Sequence, residues 1–440
     1  MTAGRLRLGL LVLAVGLGLG AIAPGAKADS HRVDPASTAA DSAHQVLVLL
    51  RLPPGHFHSG SEYADNYGDG AGAAARRRVA QRIAADHGLK LVTSWPIPLV
   101  GVDCFVMAVP EGQSPEAAVA SLAQDPNVAS AEPMRVYRGQ AGAEPAKAGR
   151  GEAAKDAGQP IEATHNDPLY LAQPAAREWR LADLHAVSTG RNVRVAVIDS
   201  MVDASQPDLA GQIQTSQDFV LGHPATAEQH GTGVAGIIAG VADNRIGIAG
   251  VAPHARIMAL RACWQEGSEG AVCDTLSLAK ALYFAIDHNA QVINLSLSGP
   301  ADPLLGRLID VALARGVVVV GALDPHAPDG GFPASHPGVV AVSDDPSTTL
   351  PGVFIAPGRD TPTTEPGGRF AFVSGSSYAA AHVSGLFALL KERNARATTP
   401  VALVTMRPGG GAIDTCASLS RAAGPACPRS AGAYSTAARE

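Results

Sequence analysis

Gly375-Ser376-Ser377-Tyr378-Ala379-Ala380-Ala381-His382-Val383-Ser384-Gly385 decides how this chain is read. Small residues crowd around Ser377, and the apolar run Leu386-Phe387-Ala388-Leu389-Leu390 follows. Glycine and serine open the segment, and alanines of high helix propensity continue it. The reading is a tight turn feeding a buried helix, with Ser377 at its N-terminus. Free N–H groups and the positive end of the helix dipole stabilise a developing negative charge there. A serine hydroxyl still needs a base to become a nucleophile. A histidine and a carboxylate are therefore sought elsewhere in the chain.

Both lie upstream. Residues 193–198 are apolar except for Arg194 and end in Asp199-Ser200. This predicts a buried parallel strand with a carboxylate at its C-terminal end. His230-Gly231-Thr232-Gly233-Val234-Ala235-Gly236 opens a second helix, with the histidine in its first turn.

Taken together, Asp199-Ser200, His230-Gly231-Thr232 and Gly375-Ser376-Ser377-Tyr378-Ala379 resemble the three signatures of the subtilisin-like serine protease family. The order Asp…His…Ser is that of subtilisin itself. The resemblance runs over roughly residues 166–390. A lone His-Gly-Thr or Gly-Ser-Ser is a weak signal, whereas three in order are specific. It implies an α/β fold, a mainly parallel sheet flanked by helices. It also implies a catalytic triad of Asp199, His230 and Ser377.

Residues 1–28 have a basic start (Arg5, Arg7), an apolar core and an Ala26-Lys27-Ala28 cleavage pattern, as in a secretory signal peptide. No other stretch is apolar and long enough to span a bilayer. The expectation is a secreted or periplasmic protein with no stable membrane anchor. The chain has 440 residues, 46% hydrophobic, which allows a large core and more than one domain. A net charge of −6 without a basic tract argues against nucleic acid as a partner. Five cysteines in an exported chain point to disulfides. Short spacing favours Cys263–Cys273 and Cys416–Cys427, with Cys104 left over.

Residues 44–138 read as strands at 45–52, 89–100, 104–109 and 128–137, with helices at 73–87 and 115–122. That β-α-β-β-α-β order fits a ferredoxin-like α+β unit. Before a subtilisin-like domain it resembles the family's inhibitory propeptide, an intramolecular partner whose C-terminal end occupies the cleft like a substrate. Residues 139–165, rich in Ala, Gly, Glu and Lys, read as a linker, with the maturation cut near its start or within it.

In residues 166–393, apolar strands alternate with helical patterns, predicting a parallel sheet with helices on both faces. Sites in such sheets lie at the carboxyl ends of strands. By resemblance, Ser296, Leu297, Ser298 and Gly299 pair with extended polypeptide substrate. Gly321 and Ala322 lie beside the same pocket, where small walls leave room for a large apolar side chain. The chemistry requires no cofactor. A structural calcium is implied by the resemblance of residues 242–248 to a family loop, with ligands from Asp208, Asn244 and the carbonyls of Ala242, Ile246 and Ile248. Residues 394–440 read as a loop-rich tail.

Three departures stand out. Met201 replaces a glycine, Ala381 replaces a proline, and the family's oxyanion-hole asparagine is missing after the strand at 317–320. The segment there is Gly321-Ala322-Leu323-Asp324-Pro325-His326, which leaves Asp324 as the nearest polar group for that role. Residues 343–355 are also short for the family. The expected function is a secreted serine endopeptidase made as a zymogen and working through an acyl-enzyme. The alternative is a catalytically weak or inactive relative that binds peptides.

Overall fold

Period-two alternation builds the N-terminal unit. In the computed structural model the described residues are 44–51, 70–141, 165–266, 270–397, 402–407 and 409–424. The expected leader, most of the expected linker and the end of the tail lie outside them. Strands β1 (Gln45–Arg51), β2 (Lys90–Ile97), β3 (Val102–Ala108) and β4 (Val128–Pro133) form an antiparallel sheet in the order β2-β3-β1-β4. Helices α1 (Gly70–Asp86) and α2 (Pro115–Leu122) complete the ferredoxin-like order. The Ser114 hydroxyl caps α2 by accepting the Ala117 N–H at 3.2 Å. Val46, Val48 and Leu50 of β1 pack with Ile83 and Leu122 of the two helices, while Leu47 and Leu49 point to the opposite face.

The strand expected over 128–137 is two strands. The chain leaves the first sheet at Met134-Arg135, where Arg135 exchanges backbone bonds with Thr275: its N–H donates to Thr275 Oγ1 and its carbonyl accepts the Thr275 N–H, both 3.1 Å. β5 (Val136–Gly139) then joins a different sheet, and residues 139 and 140 belong to that arrangement and not to a linker.

The larger unit begins with the short helices α3 (Pro174–Glu178) and α4 (Leu181–His185). Then follow β6 (Arg194–Asp199), β7 (Ile213–Asp218), α5 (Gln229–Ala239), β8 (Arg256–Arg261), β9 (Cys263–Gln265) and β10 (Ala271–Asp274). Next come α6 (Thr275–Asp287), β11 (Val292–Leu295), β12 (Leu297–Ser298), α7 (Pro303–Ala314) and β13 (Val318–Ala322). Last are β14 (Val340–Ser343), β15 (Phe354–Ile355), β16 (Thr361–Glu365), β17 (Arg369–Val373), α8 (Ser376–Arg393), β18 (Val404–Arg407), β19 (Gly410–Asp414) and α9 (Thr415–Ala423).

Among the described residues, nine strands form one sheet, β18-β19-β15-β14-β13-β11-β6-β8-β7, parallel except for the β18–β19 pair. Its central strands β6, β8, β11, β13 and β14 are buried on both sides, as parallel strands between helices must be. Val195 and Val197 of β6 pack with Val234 of α5 and Leu386 of α8; Ala196 and Ile198 pack with Leu282 of α6 and Leu308 of α7. The tail is not loop: β18, β19 and α9 extend the sheet, and Leu403, Ile413 and Leu419 enter its core. Gly409-Gly410-Gly411, all at positive φ, turn the chain between those two strands.

The apolar cluster holding α6 and α7 also contains Leu47, Leu49, Ile97 and Val106. The second face of the N-terminal sheet is thus buried against the larger unit, with Trp95 edge-on to Tyr283 at 5.3 Å. Cys263 and Cys273 form a disulfide across the β9–β10 pair. Cys416 is disulfide-bonded, while the expected partner Cys427 lies outside the described residues. Cys104 is free and buried.

Candidate active site

Three element ends converge. Asp199 closes β6, His230 stands in the first turn of α5, and Ser377 stands in the first turn of α8, all buried. Asp199 Oδ1 accepts from His230 Nδ1 at 2.7 Å and from the Ser200 N–H at 2.7 Å. The glycine after His230 is required by contact: a Cβ on Gly231 would lie 2.3 Å from the Ser200 carbonyl oxygen. Burial pulls the His230 imidazole down, but the charge of Asp199 and its hydrogen bond outweigh that, and the net shift is upward. His230 Nε2 is buried without a hydrogen bond. Ser377 Oγ donates to the Ser296 carbonyl at 2.9 Å.

Two shells hold this geometry that sequence reasoning did not find. Asn294 Nδ2 donates to Ser296 Oγ (2.8 Å), which donates to the Ser377 carbonyl (2.9 Å); Ser384 Oγ closes the set on Asn294 Oδ1 (2.8 Å). On the other side, Glu228 accepts the N–H groups of Met201 and Gln265, both at 3.0 Å. The Met201 backbone, where a glycine was expected, is thereby held. Asn294 sits in β11, where a polar residue in an apolar run was its only signal.

The cleft beside these residues contains β5. It lies antiparallel between β10 and β12, with Tyr137 opposite Cys273, Arg138 opposite Ser298 and Gly139 opposite Leu297. The Gln140 N–H donates to the Ser296 carbonyl at 3.4 Å, and the Ser377 N–H donates to the Gln140 carbonyl at 3.1 Å. A Cβ on Gly139 would stand 3.3 Å from His230 Nε2. The Gln140–Ala141 peptide therefore faces Ser377 and His230. Ser296, Leu297, Ser298 and Gly299 border this strand, Gly299 through Tyr137: a Cβ there would lie 2.4 Å from Tyr137 Cδ1. Gly321 packs against Ala334 and Val339, and Ala322 is wholly buried in the main core. The residue before the facing bond is the polar Gln140 and not a large apolar side chain. Its Nε2 donates to the Arg138 carbonyl at 3.3 Å.

Asp324 follows β13. Its Oδ1 accepts the His326 N–H at 2.8 Å and caps its own turn. Among the described residues no hydrogen bond joins Asp324 to Ser377 or Gln140.

In the calcium-like loop, Asp208 Oδ1 accepts from Asn244 Nδ2 (2.7 Å) and Oδ2 from the Ile248 N–H (3.0 Å); Asn244 Oδ1 accepts the Ile246 N–H (2.7 Å). Burial pushes the Asp208 carboxyl up to about 6, and among the described residues it has no salt bridge. Each of these oxygens keeps a second lone pair, so the donor set fits a hard cation. Asp167, not foreseen in the sequence, accepts the Asp243 and Asn244 N–H groups at 2.9 and 3.1 Å and ties the start of the unit to this loop.

A family model described as "Peptidase_S8: Subtilase family" matches residues 190–406. A thermophilic serine proteinase of Bacillus sp. (strain AK1) is 39% identical over 221 residues, 47% of this chain and 54% of that protein. Subtilisin of Bacillus pumilus is 34% identical over 224 residues, 47% of this chain and 79% of that protein. The chain spans little more than half the length of several curated relatives, such as 57% of subtilisin E of Bacillus subtilis (strain 168). Fervidolysin of Fervidobacterium pennivorans, a keratinolytic enzyme related to subtilisin, superposes with a TM-score of 0.62 at 22% identity, over 88% of this chain and 61% of that chain. That last likeness concerns the fold.

Proposed function

The chain belongs to the subtilase family, and from that premise we propose that it is a serine endopeptidase made as a self-inhibited precursor. The observation that carries the reading is the Gln140 carbonyl accepting the Ser377 N–H, with Gly139 just before it lying beside His230. Ser377 Oγ turns from the Ser296 carbonyl toward His230 Nε2 and attacks the substrate carbonyl carbon. His230 takes the hydroxyl proton, and Asp199 holds the ring and the charge it gains. Collapse of the tetrahedral intermediate expels the amine, which takes the proton from His230, and leaves the acyl-enzyme. Water then repeats the sequence and releases the acid.

The Ser377 N–H is one donor to the oxyanion. The family's asparagine is absent, and losing such a donor costs about 10²–10³ in turnover, a magnitude known from subtilisin itself. Asp324 as an ionised group would accept and not donate. The proposed enzyme is therefore slower than its relatives. Export follows from the leader pattern of residues 1–28. One calcium ion on Asp208, Asn244 and the carbonyls of Ala242, Ile246 and Ile248 would serve stability, not chemistry.

The test is mass spectrometry of the purified chain with and without a fluorophosphonate. The expected result is a new N-terminus at Ala141 and a label on Ser377, both abolished in Ser377→Ala. An intact, unlabelled wild-type chain would overturn the peptidase reading in favour of a peptide-binding relative.

A further inference from the structure

Tyr137 lies three residues before Gln140, and its side chain is completely buried. Its ring enters a slot between β10 and β12. One wall is Gly299, whose missing Cβ makes the space; Phe332 stands across it at 6.3 Å between ring centroids. The Cys263–Cys273 disulfide staples the β10 wall, with Cys273 directly opposite Tyr137. The floor is polar. Tyr137 donates its hydroxyl to Asp302 Oδ2 at 3.2 Å, and Thr275 Oγ1 donates to the same oxygen at 3.0 Å. Asp302 Oδ1 accepts the N–H groups of Leu304 and Leu305, both at 3.0 Å, so the carboxylate is fixed at the N-terminus of α7.

An apolar slot would accept any large ring. A fixed, buried acceptor at its end distinguishes rings by their hydroxyl, because a ring lacking the donor leaves the carboxylate short of a partner it cannot replace with water. The pocket is 3% exposed at Asp302, which leaves little room for such a water.

We infer that the cleft selects polypeptides carrying tyrosine three residues before the residue whose carbonyl is attacked, and that Asp302 reads the phenol hydroxyl. The inference rests on the peptidase reading above and narrows its substrates. The N-terminal unit then blocks the cleft with the sequence the cleft prefers.

The experiment uses the purified, self-processed protein and three internally quenched peptides containing Val-X-Arg-Gly-Gln-Ala, with X as Tyr, Phe or Leu. The expected kcat/KM for Tyr exceeds that for Phe by about 10- to 100-fold, the range of a hydrogen bond to a charged acceptor. Asp302→Asn keeps a helix-capping oxygen and should shrink the Tyr:Phe ratio to a few-fold. Equal rates for Tyr and Phe on the wild-type protein would overturn the inference alone, without any variant. Failure to cut all three peptides, with no fluorophosphonate label, would overturn the peptidase reading and the inference with it.

Discussion

Asp199, His230 and Ser377 each stand at the end of an element specified by its own residues. The groove filled by β5 exists only where strands far apart in the sequence meet. Tyr137 and Asp302 are separated by 165 positions, and the Gly299 wall directly follows β12, which pairs with β5 from far earlier in the chain. On the proposed function, the reacting groups depend on local turns and helix starts, whereas selectivity depends on register. Damage to the first should remove activity on every substrate; damage to the second should change which substrates are cut.

The largest expected effect is on the first region. Asp199→Asn keeps the shape but no longer fixes the imidazole tautomer, and should lower kcat by about 10⁴. A loss below tenfold, measured on any cleaved peptide, would remove Asp199 from the role. In the groove, Gly299→Ala places a Cβ where the Tyr137 ring lies, and overpacking of this kind costs roughly 1–3 kcal/mol. That predicts about a 5- to 100-fold drop in kcat/KM for the tyrosine peptide. A peptide with alanine at the same position should be far less affected. Equal losses on both peptides would show that the groove and the reacting groups are not separable.

The pH profile sharpens the contrast further. His230 must be neutral to accept a proton, and its shift is upward from the usual 6.5. Activity is therefore lost as pH falls through a value above 6.5, about tenfold per unit below it, and is retained in alkali. An acid limb below pH 6 would contradict the Asp199–His230 pairing. The smallest effect lies remote from both regions. If the Asp208 loop binds calcium, saturation at about a hundred times the dissociation constant adds about 2.7 kcal/mol. Chelation should then lower the melting temperature by several degrees, and Asp208→Ala should abolish the response. An unchanged melting curve would refute the site.

The sequence was legible where chemistry is written contiguously. The runs ending at Asp199, opening at His230 and opening at Ser377 pointed to the residues that the ends of β6, α5 and α8 bring together, and to the parallel sheet. Legibility failed where a pairing partner is distant. Residues 128–137 alternate like one strand, and nothing local announces that Arg135 is captured by Thr275 and that the chain changes sheets there. Gly409-Gly410-Gly411 looks like loop because its strand partner, β15, is two residues long and lies more than fifty positions earlier. Asp324 was chosen for its position after β13, yet its carboxylate faces its own turn.

The N-terminal sheet has two apolar faces. One is covered by its own helices, and the other, around Leu47, Leu49 and Val106, is covered by α6 and α7. On the proposed self-processing, once the chain is cut and the smaller piece departs, that second face would meet water with nothing of its own to hide it. The freed piece would be a poorer fold than the bound one, prone to opening and to digestion by the proposed peptidase it has just left. Activation of the proposed precursor would then act as a ratchet: each piece destroyed cannot return to a cleft, so slow first cuts would lead to a self-accelerating time course.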